Sequence, residues 1–336
     1  MKKILFLAAR MPYPLDDGWK LRTFFFIKAL SELGFSIDLL VFDETCGKVI
    51  CKNLEYYCRN IIIVPRKKQY KFLDLLKGFI FNTPFSVYNY ADKIYAQSYK
   101  NLVSNNNYDY IQVEDIVLSQ YVFCTYNVLK ILDMHNVESD LMRRYSLNSR
   151  HILKKIYAKI TANKLSKYEK KFCKYFNTVL VCSTEDKNLL ISDKNITTDV
   201  KVVPNGVDCN YYDAVFSGKS DDTLIFVGSM DYHANISGIL FFATEVLPLI
   251  RKTHKNLKFY IVGKNPPSEV CALSNSHIFV TGRVDDVRPY LERARISVVP
   301  LLVGGGTRLK ILEAMAAGLP VVTTSLGAEG LAVHHA

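Results

Sequence analysis

The chain has 336 residues, 49% of them hydrophobic, which is ample material for two cores, and its length argues for two domains. No run of about eighteen uninterrupted apolar residues occurs, so the sequence predicts no bilayer-spanning helix. A formal net charge of +11, densest between Arg143 and Lys174, points to an anionic partner: nucleic acid, an anionic membrane or a polyanionic ligand.

The opening MKKILFLAARMPYP has too short an apolar core, and no small-residue cleavage site, for a signal peptide. Lys2–Ala9 reads instead as a buried parallel strand. The loop Arg10–Gly18 carries two prolines and the Asp16-Asp17-Gly18 turn signal, and a helix over Lys20–Leu33 closes at Gly34. Short β-rich runs follow at Ser36–Phe42, Ile61–Val64, Tyr110–Val113, Lys130–Met134 and Thr178–Cys182, with helical stretches between them. That alternation predicts βαβ units and a parallel sheet, whose ligands belong at the carboxyl ends of the strands. At those ends stand Gly18 with Lys20 and Arg22 behind it, Glu114 with Asp115, and Asp133-Met134-His135-Asn136. Strand alternation puts Asp133 and His135 on one face, where His135 reads either as a ligand contact or as a cap for the next helix. Glu114 and Asp115 are candidates to contact an acceptor.

The stretch Arg150–Phe176 has apolar residues at Leu153, Tyr157, Ile160, Leu165, Tyr168 and Phe172, with cations over much of the rest. It reads either as a basic amphipathic helix on an anionic membrane or as a core-packed helix with a solvated charged face. The eight cysteines show no CxxC pair or zinc spacing, so reduced, buried thiols of a cytosolic protein are expected.

After the turn-rich Pro204-Asn205-Gly206-Val207-Asp208 the pattern repeats. Strands are predicted at Thr223–Val227, Lys258–Val262, Ile278–Thr281, Ile296–Val299 and Val321–Thr323, with helices over Asn235–Arg251, Asp285–Ala294 and Arg308–Ala317. Two doubly wound domains result, residues 1–203 and 204–336. Asp231 and Asn235 read as helix caps. The central stretch is PLLVGGGTRLKILEAMAAG, from Pro300 to Gly318. Gly304, Gly305 and Gly306 let an anion approach the backbone, Thr307 is placed as N-cap, and Gly318 ends the helix. Arg308 and Lys310 sit in a first turn whose dipole disfavours cations, which makes sense if an anion such as a diphosphate is held there. Lys310 and Glu313 share a face, with Leu309, Leu312 and Met315–Ala316 packing inward.

The run GGGTRLKILEAMAAGLPVV resembles the donor-binding signature of family-four glycosyltransferases, closest to a bacterial branch associated with exopolysaccharide synthesis. The resemblance implies an α/β GT-B fold: two Rossmann-like doubly wound domains facing a central cleft, an acceptor-side one and a nucleotide-sugar donor one. It implies a retaining transferase moving a hexosyl group from a nucleotide-sugar to a glycan or lipid-linked acceptor in bacterial surface polysaccharide synthesis. Glu313 matches the family glutamate that holds the ribose hydroxyls. The family's other glutamate falls at Gly305, as in the branch, where Arg308, Lys310 and the glycine run take its place. The loop after Phe226-Val227-Gly228 lacks the usual arginine and lysine, and Arg308 and Lys310 again supply those charges. By the same resemblance Gly18 faces the donor diphosphate, Gly282, Arg283 and Val284 hold the base, and His135 lies near the transferred sugar and phosphate.

His135, Arg308 and Lys310 are therefore the expected catalytic set. No metal and no cofactor is expected, and nucleic acid is not, since no recognisable module accompanies the charge. The implied location is cytoplasmic, with residues 150–176 as a contact to the inner face of an anionic membrane. Family members continue beyond the strand Val321–Thr323, so the resemblance also implies an incomplete second domain and reduced turnover. A non-catalytic nucleotide-sugar or membrane-surface binding protein of the same fold is the alternative reading.

Overall fold

The computed structural model describes residues 1–15, 17–44, 52–66, 83–148, 151–192, 196–212, 222–303, 308–331 and 333. The chain forms two compact units, Met1–Pro204 and Asn205–Ala336.

The first unit carries a seven-stranded parallel sheet in the order β3-β2-β1-β4-β5-β6-β7. The strands are β1 Lys3–Ala8, β2 Ser36–Asp43, β3 Asn60–Pro65, β4 Tyr110–Glu114, β5 Leu129–Met134, β6 Thr178–Val181 and β7 Asp199–Val202. Five of β1's six residues and all eight of β2's are buried, as expected of strands covered on both faces. The sequence reading missed β7: Asp199-Val200-Lys201-Val202 buries only Val200 at the sheet edge, too short and too polar to stand out. Helices of at least eight residues here are α1 Gly18–Glu32, α2 Lys93–Asn105, α3 Glu138–Asn148, α4 Ile152–Cys173 and α5 Thr184–Ile191. α1 starts two residues before the predicted Lys20, because Asp17 caps it by accepting from the Lys20 N–H.

The second unit carries a five-stranded parallel sheet, β10-β9-β8-β11-β12. Its strands are β8 Thr223–Val227, β9 Lys258–Val262, β10 Ile278–Gly282, β11 Ile296–Val299 and β12 Val321–Thr323. Its longer helices are α6 His233–Phe241 and α7 Leu309–Ala316. α6 begins before the predicted Asn235, and the helical path runs on through a π-turn at Phe242–Val246 to Leu247–Ile250. Pro248 explains the widened turn, since it has no N–H to give the preceding turn. By length and composition the path His233–Ile250 is long and apolar enough to cross a bilayer, although polar residues interrupt its apolar runs. Here Ile239, Phe242 and Leu247 pack with Phe259 and Ile261 into a core.

Both sheets reverse their winding once, between β1 and β4 and between β8 and β11. Ligands of doubly wound sheets bind beside such points, at the carboxyl ends of the strands. Among the six described cysteines, all free, Cys124, Cys209 and Cys271 are exposed, contrary to the expectation of buried thiols.

Candidate active site

At the carboxyl ends of β8, β9 and β10 in the second unit, backbone approaches backbone closely. Gly228 and Gly263 follow β8 and β9, and a Cβ on Gly263 would fall 1.8 Å from the Gly228 carbonyl oxygen. Gly263 donates its N–H to the carbonyl of Gly282, which has a φ of +70° at the end of β10. Only glycines permit this approach. Arg283 beside it is exposed, and Val284 is half-buried against the core.

Across the reversal point, α7 begins at Leu309, with Arg308 in extended conformation at the N-cap. Arg308 is thus one residue short of the predicted helix, and Gly304, Gly305, Gly306 and Thr307 lie outside the described residues. The buried face of α7 is Ile311, Ala314 and Ala317, while Met315, predicted to point inward, is 50% exposed. That rotation turns Lys310 towards the end of β8 and Glu313 towards Tyr212.

Lys310 as a residue is half-buried, but its ammonium is the enclosed end. Nζ donates to Asn235 Oδ1 at 2.7 Å and stands 4.3 Å from the centroid of the Phe226 ring. A Cβ on Gly228 would come within 2.7 Å of it, so the glycine makes the room. Burial, with the charge of Arg308 close by, pulls the ammonium down to about 7, against a smaller opposing pull from Glu313. Arg308 is itself 7% exposed. Burial likewise raises the Glu313 carboxyl, which is hydrogen-bonded to the buried Tyr212 hydroxyl.

Asn235 is not the cap the sequence suggested. α6 starts behind Tyr232 without a side-chain cap, while Asn235 donates to the Ser229 carbonyl and accepts from Lys310. Asp231 instead accepts from Ser229 Oγ and Asn265 Nδ2. The roles of Asn235, Phe226 and Tyr212 at this site escaped the sequence reading because each is defined by a neighbour far along the chain.

In the first unit, His135 follows β5 and its Nε2 lies 3.0 Å from Glu114 Oε2. Glu114 is fully buried; it also accepts from Gln112 Nε2, and burial beside Asp133 raises its carboxyl. Asp133 lies beside His135 as strand alternation predicts, but both its oxygens are taken by Arg22, at 2.7 and 2.8 Å. Arg22 also donates to the Val203 carbonyl. The Arg22 cation, which the sequence places behind Gly18 at a strand end, is thereby tied into the fold. Glu114, Asp133 and His135 place one ligand atom each within 4.8 Å of one another, a spacing a metal would tolerate. The Arg22 guanidinium, however, already balances Asp133.

Gly18 is exposed at the start of α1, and the Trp19 next to it stacks on His135, centroids 5.4 Å apart. Arg10 lies 4.7 Å over the ring of the same Trp19 and pairs with Asp17. Asp115, with φ 87°, accepts from the Val117 N–H and starts a short 3₁₀ turn. Behind it, burial pushes Glu138 up to about 8 and Glu169 up to about 7. Trp19, the chain's single tryptophan, had a signal in the sequence: it directly follows the Asp17-Gly18 turn.

Residues 221–335 match the family described as Glycosyl transferases group 1. An uncharacterised 44.6 kDa protein from the cps region of Klebsiella pneumoniae is 28% identical over 361 aligned positions, covering all of this chain and 86% of its own length. Sucrose-phosphate synthase from Thermosynechococcus elongatus is similar in structure, with a TM-score of 0.71 at 16% identity, covering 98% of this chain and 82% of its own. HepE from Anabaena, solved with UDP and glucose, has a TM-score of 0.62 at 16% identity over 99% of this chain and 84% of its own. With the donor signature in the matched segment and the two parallel sheets, the chain carries a group 1 glycosyltransferase domain and has the GT-B fold.

Proposed function

We propose that this glycosyltransferase is a retaining hexosyltransferase acting on a nucleotide-sugar, with a glycan or lipid-linked glycan as acceptor, in bacterial surface polysaccharide synthesis. The observation that carries the reading is the enclosed Lys310 ammonium beside buried Arg308 at the head of α7. A diphosphate seated there meets two cations and a helix N-terminus, all favourable to a leaving group that gains negative charge. Glu313, further along the helix, takes the ribose hydroxyls, and the backbone at Gly282, Arg283 and Val284 takes the base. In retaining transfer of this kind the departing phosphate accepts the acceptor's proton on the same face of the sugar. The protein then contributes position and charge, not a nucleophile.

His135 serves the sugar side, held by Glu114 and by Trp19. Two protein cations at the diphosphate make a metal unnecessary, and no cofactor is proposed. A relative from a cps region favours the polysaccharide role. We place the enzyme in the cytoplasm at the inner face of the membrane, where a lipid-borne acceptor would be found.

Melting curves of the parent and of Arg308→Ala/Lys310→Ala, with nucleoside diphosphates and with the matching nucleosides, test the donor site. One diphosphate should raise the parent's Tm, and the double variant should lose more than about tenfold in affinity for it, two charge-assisted contacts being gone. The nucleoside should treat both proteins alike. Equal diphosphate shifts in the two proteins would refute the assignment.

A further inference from the structure

α4 does not present one kind of surface to solvent along its length. At 100° per residue its inner face is Ala158, Ala162, Leu165, Glu169 and Phe172, all buried. The opposite face begins with Ile152, Leu153 and Ile156, which are 73%, 81% and 52% exposed. Leu147, on the helix α3 that packs against α4, is 67% exposed. Further along, the outward positions are exposed Lys167, Lys171 and Lys174. Exposed Lys154, Lys155 and Lys159 flank the aliphatic side chains. From Ser149 to Tyr168 there is no acidic residue, and Glu169 faces inward.

The sequence reading treated residues 150–176 as one amphipathic helix, but its two alternatives apply to different parts. Leu165, Tyr168 and Phe172 belong to the core. The first two turns are apolar outward, and among the described residues nothing of this unit covers them. Core packing cannot explain them, and nucleic acid would use the lysines and leave the aliphatics in water. A second copy would bring the same cations against these, which is repulsive. An anionic lipid surface satisfies both chemistries.

We infer that Leu147, Ile152, Leu153 and Ile156 form a membrane-docking surface, entering the acyl boundary of an anionic leaflet while Lys154, Lys155 and Lys159 meet the headgroups. The inference deepens the reading of a lipid-borne acceptor, and its test uses no transfer reaction, so each can fail without the other.

The full-length protein is sedimented with phosphatidylcholine vesicles, with and without phosphatidylglycerol, across a salt series. Parent protein should bind the anionic vesicles and leave them as salt rises. Ile152→Ser/Leu153→Ser/Ile156→Ser and Lys154→Gln/Lys155→Gln/Lys159→Gln should each cut partitioning at least about tenfold while melting like the parent. In Leu153→Trp, the added fluorescence should shift to the blue on binding and be quenched by brominated lipid. No preference for anionic vesicles, or triple variants that bind like the parent, would overturn the proposal. So would a concentration-dependent dimer that the serine variant abolishes.

Discussion

Lys310 holds a proton whose occupancy depends on what stands in front of it. With its ammonium near 7, a share of the molecules is neutral at slightly alkaline pH. A bound diphosphate pulls that value upward, as an opposite charge within a few ångströms does. Binding of nucleoside diphosphate at about pH 8 should therefore take up roughly half a proton or more. Calorimetry in two buffers of different ionisation enthalpy measures it, and Lys310→Met should abolish it. Buffer-independent heats in the parent would contradict the assignment. At this scale the sequence was legible where the chemistry is local: Lys310 and Glu313 stand out as charges at fixed spacing on one helix. It was illegible for Asn235, because capping is a rule about near neighbours, while the group Asn235 serves is 75 positions away.

α6 shows how an element can be set by a contact more than by its propensities. Gly238 lies inside it, where alanine would ordinarily gain about 0.5–1 kcal/mol. A Cβ there would stand 2.6 Å from the Pro300 carbonyl oxygen, at the end of β11. The clash is with backbone, so the helix or the Pro300 segment must shift, at about 1–3 kcal/mol. The collision outweighs the propensity, and Gly238→Ala should lower stability by about 1–2 kcal/mol in denaturant titrations. A stabilised variant would show that the segment yields freely. Strands of the interior were readable from apolar runs, as β1 and β2 show. The inward face of α7 was not, since Leu312, Met315 and Ile311 are equally apolar and only tertiary packing selects among them.

The two units respond to pH in opposite senses. In the first, Glu138 and Glu169 have carboxyls raised by burial, so the folded form retains protons that the unfolded chain has lost. Their stabilising effect is present at low pH and fades as pH rises from about 4.5 towards 8. In the second, Lys310 is depressed, the unfolded chain holds the extra proton, and stability rises from about pH 7 to about 10. Scanning calorimetry between pH 5 and about 9 should show a transition that moves down with pH and another that moves up. Glu138→Gln should flatten the first by on the order of 1–2 kcal/mol, with its partial exposure discounted, and Lys310→Met should flatten the second. Unchanged slopes in both variants would put the titrating groups elsewhere. The alternation of strands and helices announced two doubly wound sheets, whereas these buried titratable groups belong to packing that no spacing in the sequence records.

Selection would weigh the contact between Gly228 and Gly263 quite differently from any assay of turnover. A Cβ at position 263 would press into a peptide carbonyl, so every descendant that folds keeps the same residue there, whatever sugar it transfers. In a comparison of diverged lineages, position 263 would stay frozen. Its invariance would mark a steric boundary condition inherited with the fold, and a reader who took invariance for chemistry would credit Gly263 with a step it never performs.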